Sequence, residues 1–203
     1  MRETKNILIA GVGGQGSLLA SKILGNLFGA AGLAVKVSEV HGMSQRGGSV
    51  VTYVRAGRDV ASPLIAPGEV DILLALEELE ALRWLYALTP DGVVVASTQK
   101  ILPMPVISGR EAYPSDIRAR LSAAHKVIML DAQAVALAAQ NPRGANVALL
   151  GAMSWMLPYG VEDWEQALAA SVKPALLERN LAVFAQGRAA GQENTVQGGQ
   201  GAI

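Results

Sequence analysis

Ile7-Leu8-Ile9-Ala10 is a short, uninterrupted apolar run that ends in Gly11-Val12-Gly13-Gly14-Gln15-Gly16, and this junction limits the fold more than any other feature. A run of that length without polar alternation suits a strand covered on both faces, as in a parallel sheet. Beyond it, Ala20, Ile23, Leu24 and Leu27 recur at i, i+3, i+4 and i+7, which predicts a helix over 16–28 with Gly29 and Gly32 as its stop. A second strand over 34–40 completes a βαβ unit. The link 41–48 is too short for another crossover helix before the β-rich segment 49–55, so a mixed sheet is open there.

The same alternation resumes after Pro63, Pro67 and Gly68: a strand over 70–76, a helix over 77–88, a turn at Thr89-Pro-Asp-Gly92 and a strand over 93–96. Residues Met104–Ile107 read as a short edge strand, 115–122 as a helix capped by Ser115, and Lys126–Leu130 as another buried strand. From Asp131 to about 186 helices follow in succession, with Trp164/Leu168/Val172 and Leu177/Leu181/Phe184 as apolar stripes and Pro174 suited to a first helical turn. The uncharged stretch 145–161 holds Asn146, Ser154, Pro158 and Gly160 and reads as a buried helix rather than a membrane span. The expected architecture is α/β: one three-layer, Rossmann-like domain over 1–188, with a mostly parallel sheet and a helical C-terminal third. Residues 189–203 offer too little apolar surface to order themselves and read as a disordered tail.

Charge and composition exclude several functions. Seventeen basic and 17 acidic side chains cancel and are scattered, which gives no electrostatic footprint for nucleic acid or an anionic membrane. With no cysteine, disulfides, thiolate zinc sites, a cysteine nucleophile and iron–sulfur ligation in the usual way are all excluded. Arg2, Glu3 and Lys5 precede the first strand without the apolar stretch and cleavage site of a signal peptide, so a cytoplasmic protein is expected.

Two motifs carry chemistry. Gly11, Gly13 and Gly16 fit G-x-G-x-x-G in its meaningful place, after a buried strand and at a helix start, where backbone amides approach a diphosphate. The same glycines also suit a tight, ligand-free turn. Glu39 stands about where a dinucleotide fold needs its ribose-binding acid, or it belongs to the polar loop that follows. That loop brings Glu39, His41, Ser44, Gln45, Arg46, Gly47 and Gly48 together at a strand end. There Arg46 suits a phosphate or carboxylate, or pairs with Glu39, and His41 suits acid–base work or a structural hydrogen bond. Asn146 is a candidate cap for the uncharged helix, with amides facing a ligand as the alternative. Met153, Trp155, Met156 and Tyr159 are read as core rather than as a partner-binding face.

Gly11-Val-Gly-Gly-Gln-Gly16 together with Ser38-Glu-Val-His-Gly-Met-Ser-Gln-Arg-Gly-Gly-Ser-Val50 resembles the gamma-type subunits of the 2-oxoacid:ferredoxin oxidoreductases, and within them the beta subunit of the indolepyruvate branch. The likeness extends over roughly residues 5 to 185 in element order. It implies a subunit that supports oxidative decarboxylation of arylpyruvates to aryl-acetyl-coenzyme A, with electrons passed to ferredoxin. Thiamine diphosphate, Mg and [4Fe–4S] clusters would sit on a large catalytic partner, with ferredoxin reached through the complex. No cofactor is expected to bind this chain tightly. Coenzyme A is the candidate substrate, its diphosphate held by Gly11, Gly13, Gly14, Gln15, Gly16 and Arg46. Ser17 departs from the apolar residue frequent in the family and adds a hydroxyl at the helix start. No catalytic residue is assigned with certainty; Glu39 and His41 are the candidates. The rival readings are a free-standing NAD(P)-dependent oxidoreductase and a ligand-free interaction subunit. In isolation a homodimer is expected, because a subunit parted from its partner exposes apolar surface.

Overall fold

The opening apolar run becomes β1 (Lys5–Val12), followed by α1 (Ser17–Ala30), β2 (Ala34–His41), β3 (Ser49–Gly57), β4 (Val70–Ala75), α2 (Glu78–Arg83) and β5 (Leu88–Ser97). The chain continues through α3 (Met104–Ile107), α4 (Ile117–Ala124), β6 (Lys126–Leu130), α5 (Ala132–Ala138), α6 (Ala145–Ser154), α7 (Val161–Ala169) and α8 (Pro174–Gly198). These elements come from a computed structural model that describes residues 4–41 and 48–198.

Six described strands form one sheet in the order β2-β3-β1-β4-β5-β6. β1, β4, β5 and β6 run parallel, whereas β3 is antiparallel to both β1 and β2, so the mixed arrangement lies where the short link required it. From β1 the chain crosses over α1 towards one edge, and from β4 onward it steps towards the other. The carboxyl ends of β1 and β4 therefore flank the point of reversal, the place where α/β sheets open a ligand crevice.

Alternation along β1 sends its side chains to two cores. Ile7 and Ile9 join Ile23, Leu24, Phe28, Leu149, Trp164 and Phe184 on the face covered by α1, α6, α7 and α8. Leu8 and Ala10 join Leu79, Ile117 and Leu121 on the face covered by α2 and α4. Burial on both faces explains the unbroken apolar strands. Met153 is fully buried, and Trp155, Met156 and Tyr159 pack against the first core, in line with the core reading.

Three local expectations are corrected. Met104–Ile107 is a single helical turn, because Pro105 near its start fits a first turn and lacks an amide that an edge ladder would use. Thr89-Pro-Asp-Gly92 lies inside β5, where the pairing with β4 slips between Val70 and Ile72. The helix expected over 115–122 starts at Ile117 with Asp116, not Ser115, at its N-cap. Beyond these, α8 continues past Arg188 to Gly198, inside the stretch read as a tail. Its packing there rests on close approach rather than apolar area. Gly187 leaves no room for a side chain against Ala148, nor Gly191 against Ala152, and Gly151 of α6 meets the backbone at Phe184 and Arg188. Arg188 also donates to Ser154 Oγ.

Candidate functional site

The glycine turn joins β1 to α1 at the crevice rim, and its glycines do different things. At Gly11 an added Cβ would meet Gln15 Oε1 at 2.9 Å and the Leu76 side chain at 3.0 Å. Gly16 has φ +87°, and a Cβ there would lie 2.5 Å from Asn146 Nδ2. Both are required by contacts within the protein. Gly14, with φ +100°, has nothing within 4 Å of such a Cβ and faces open space.

The turn's amides divide in the same way. Val12 N donates to Gln15 Oε1 (2.7 Å), Gly13 N to Gly48 O (2.9 Å) and Gln15 N to Val12 O (3.2 Å). Among the described residues, the amides of Gly14, Gly16, Ser17, Leu18 and Leu19 have no acceptor. These open donors gather at the positive end of a 14-residue helix that lacks a side-chain cap.

Gln15, expected to face a ligand, is an internal strap: its Nε2 donates to Leu76 O and Gln99 Oε1, each at 2.9 Å. Glu39 projects from β2 towards the start of α1, where its Oε2 accepts from Ser17 Oγ and Thr52 Oγ1, each at 3.0 Å. The added hydroxyl of Ser17 thus engages a carboxylate. Asn146 is the second residue of α6, not its cap; it donates Nδ2 to Gly16 O at 2.9 Å and accepts from Val147 N. Of the remaining candidates, Gly48 accepts the Gly13 amide, His41 ends β2, and Ser44, Gln45, Arg46 and Gly47 lie outside the described residues.

Two hollows flank the turn. One, of about 360 Å³, is bordered by Gly13, Gly14, Gly16, Ser17, Glu39 and Val50, and carries a carboxylate. The other, of about 410 Å³, runs between the turn and the loop before α6; Gln99, Gln133 and Arg143 line it together with Gly14 and Asn146. Arg143 has no ion-pair or hydrogen-bond partner among the described residues. The sequence reading did not single out Gln99, Gln133 or Arg143. The available signal for Gln99 was its place just after a strand that ends on the same rim as β1.

Behind this rim sits a buried carboxylate the sequence reading also missed. Glu77 is 1% exposed; its Oε2 accepts from Glu80 N (2.9 Å), and its Oε1 from Ile101 N (3.1 Å) and Tyr113 Oη (2.9 Å). Burial foremost, then the hydrogen bond to Glu77 and its charge, with Glu78 adding, raise the Tyr113 phenol above its ordinary range. Glu80 in turn accepts from Ser49 Oγ at 2.6 Å and pairs with Arg83, fixing the start of β3.

A mixed, mostly parallel sheet with a glycine turn at its reversal point, enclosed by a helical C-terminal third, defines a three-layer α/β domain of the Rossmann-like kind. The chain belongs to the pyruvate ferredoxin/flavodoxin oxidoreductase family, whose pattern matches residues 6–190. It is 38% identical over 187 residues to the indolepyruvate oxidoreductase subunit IorB of Archaeoglobus fulgidus, covering 90% of this chain and 92% of that protein. The Thermococcus kodakarensis subunit of that name is 38% identical over 194 residues, covering 93% and 96%. Among solved structures, the gamma subunit of a keto/oxoacid ferredoxin oxidoreductase from Geobacter sulfurreducens superposes with a TM-score of 0.71 at 20% identity, over 95% of this chain and 98% of that one. The 2-oxoglutarate:ferredoxin oxidoreductase from Magnetococcus marinus, solved with 2-oxoglutarate, coenzyme A and succinyl-CoA, gives a TM-score of 0.72 at 18% identity over 95% of this chain; the match spans 32% of that chain. The protein is a subunit of a multi-subunit oxidoreductase complex. No helix among the described residues is long and apolar enough to cross a membrane.

Proposed function

We propose that the chain is the small subunit of an arylpyruvate:ferredoxin oxidoreductase, and that it holds the diphosphate of coenzyme A at the glycine turn. The observation carrying this reading is the 38% identity, along nearly the whole of both chains, to subunits named for indolepyruvate. A large partner bears thiamine diphosphate, Mg and the iron–sulfur clusters and passes electrons to ferredoxin, since a chain without cysteine has no thiolate for such clusters. Coenzyme A suits the open donors of Gly14 and the first turn of α1, with Arg143 across the crevice. Arg46, two residues before the Gly48 carbonyl that holds Gly13, is the second guanidinium in this reading. Arg143 on the wall of the second hollow makes that side the anion side in this reading. The engagement of Glu39 by Ser17 and Thr52 supports an anchoring role for it over ribose binding, which weighs against a free-standing nicotinamide enzyme.

The experiment is to purify the tagged chain anaerobically from its own cells and assay the eluate. A brown complex with a cysteine-rich partner that reduces a dye with indolepyruvate and coenzyme A is the expected result. A colourless eluate of this chain alone, from cells shown to make the partner, overturns the reading. Within the active complex, an Arg46→Ala variant with unchanged apparent affinity for coenzyme A removes Arg46 from the site.

A further inference from the structure

Among the described residues, four side-chain amides line the hollow between the glycine turn and the loop before α6: Gln15, Gln99, Gln133 and Asn146. An amide has a donor end and an acceptor end, and a main-chain partner that can only give or only take decides which end is left over. Val12 N donates to Gln15 Oε1, so Gln15 turns its Nε2 to the Leu76 carbonyl and to Gln99. Gln99 therefore meets it with Oε1, at 2.9 Å, and keeps its own Nε2 in hand. On α5, Gln133 gives an N–H to the Pro142 carbonyl at 3.0 Å, which leaves its Oε1 over. Gln15 and Asn146 are engaged at both ends. By contrast, Gln99 Nε2 and Gln133 Oε1 have no partner among the described residues. Neither amide exchanges its ends freely, since a flip sets N–H against N–H at Gln15 and carbonyl against carbonyl at Pro142. The hollow thus presents one donor and one acceptor in fixed places.

We propose that Gln99 and Gln133 bind a neutral, planar part of the ligand that carries both a hydrogen-bond acceptor and an N–H donor, Gln99 giving to the acceptor and Gln133 taking from the donor. This deepens the function proposed above and rests on it. Arg143 is the one charged side chain among the described residues of the lining, whereas Leu19, Leu76 and Leu149 give it apolar walls. Phosphate is matched by the guanidinium and the open amides of the turn, but a carbonyl oxygen such as Gln133 Oε1 repels an anion and calls for an N–H. Apolar walls with a few fixed polar groups suit an uncharged group of defined polarity. Coenzyme A has two parts of that chemistry: the edge of its adenine, where N1 accepts beside the N6 amino group, and the amides of its pantetheine arm. A group with its donor and acceptor exchanged sets like against like at both glutamines and is rejected.

The test uses the assembled, active complex and measures competition with coenzyme A by two uncharged probes, adenosine and S-methyl pantetheine. Competition by adenosine assigns the pair to the base, and competition by S-methyl pantetheine assigns it to the arm. Gln99→Glu still offers Gln15 an acceptor but replaces the outward N–H by an oxygen, and is expected to weaken the competing probe by about tenfold. Because the probes carry no phosphate, the new carboxylate has no anion to repel. Gln133→Met removes the outward acceptor from a different element and is expected to weaken the same probe by about fivefold, which keeps the test open should one variant fail to fold. Polarity separates binding from a structural role. Inosine, whose N1 donates and whose O6 accepts, should compete less well than adenosine in wild type, and Gln99→Glu should narrow that gap; for the arm, an ester in place of the amide should compete less well in wild type but not in Gln133→Met. A merely structural role weakens each probe and its analogue alike and overturns the proposal. So does failure of both probes to compete in a complex that coenzyme A saturates, with the functional reading left standing. Turnover of the complex without any dependence on coenzyme A overturns that reading itself.

Discussion

Asn146, at the start of α6, donates its side-chain amide to the carbonyl of Gly16 at 2.9 Å, and that same nitrogen occupies the space a side chain on residue 16 would need. The helical C-terminal third thereby fixes the glycine turn 130 residues earlier in the chain. Gly16→Ala is expected to cost about 1–2 kcal/mol for the left-handed backbone alone, with the clash added. Asn146→Ala should cost about 1 kcal/mol through the lost hydrogen bond. Since Asn146→Ala also removes the clash, the double variant should lose less than the sum of the two. Urea unfolding of the four proteins measures this coupling, and strict additivity would contradict it.

How much of this was legible in the sequence follows from range. β1, α1, β2, β4 and β6 were readable because each is a local pattern: an apolar run, a 3.6-residue repeat, a glycine stop. The glycine turn was readable too, but the division of labour within it was not. Whether Gly11 serves a ligand or Gln15 depends on Leu76 and Gln99, which lie far along the chain. Glu77 read as an ordinary charged helix start, since nothing nearby in sequence announces partners at positions 101 and 113. The proline-bearing turn Met104–Ile107 failed in the opposite way, for apolar composition outweighed the missing amide at Pro105.

The end of α8 gives a sharper case, because glycine serves there as a contact surface that apolar content does not register. Gly187→Ala places a Cβ against the Ala148 backbone, where the neighbour is main chain and cannot swing aside. A destabilisation of about 1–3 kcal/mol is expected. Deleting residues 189–203 should also destabilise the domain, through loss of the Gly191–Ala152 approach, and thermal unfolding reads both. A truncated chain that melts with wild type would favour the tail reading.

Tyr113 makes the rim sensitive to alkaline pH. Its folded pKa is raised, chiefly by burial and then by Glu77, while in the unfolded chain the phenol ionises near about 10. The unfolded state therefore releases this proton first, so the contribution to stability is fully present below pH about 10 and is lost as pH rises towards the folded value. Tyr113→Phe should lower stability at pH 8 by about 1.5 kcal/mol, the scale of a hydrogen bond to a charged group. It should also flatten the decline above pH about 10. Flattening is partial, because burial raises Tyr53 and Tyr159 as well. Equal slopes for wild type and variant would remove Tyr113 from this role.

Arg143 offers the most direct test of the anion side of the crevice. It is exposed and without an ion-pair partner among the described residues, so its removal should leave the melting temperature nearly unchanged. In the assembled complex Arg143→Ala should raise the apparent KM for coenzyme A by about tenfold, the scale of a charge-assisted hydrogen bond to phosphate, with turnover recovered at saturating coenzyme A. Arg143→Lys should recover only part of the affinity, since an ammonium supplies charge without the planar fork that grips two phosphate oxygens. Inorganic pyrophosphate should compete with coenzyme A in the wild-type complex and less effectively in Arg143→Ala. An unchanged KM together with unchanged pyrophosphate inhibition would take Arg143 out of the site and leave the amides of Gly14 and the first turn of α1, with the side chains of Gln99 and Gln133, as its described donors.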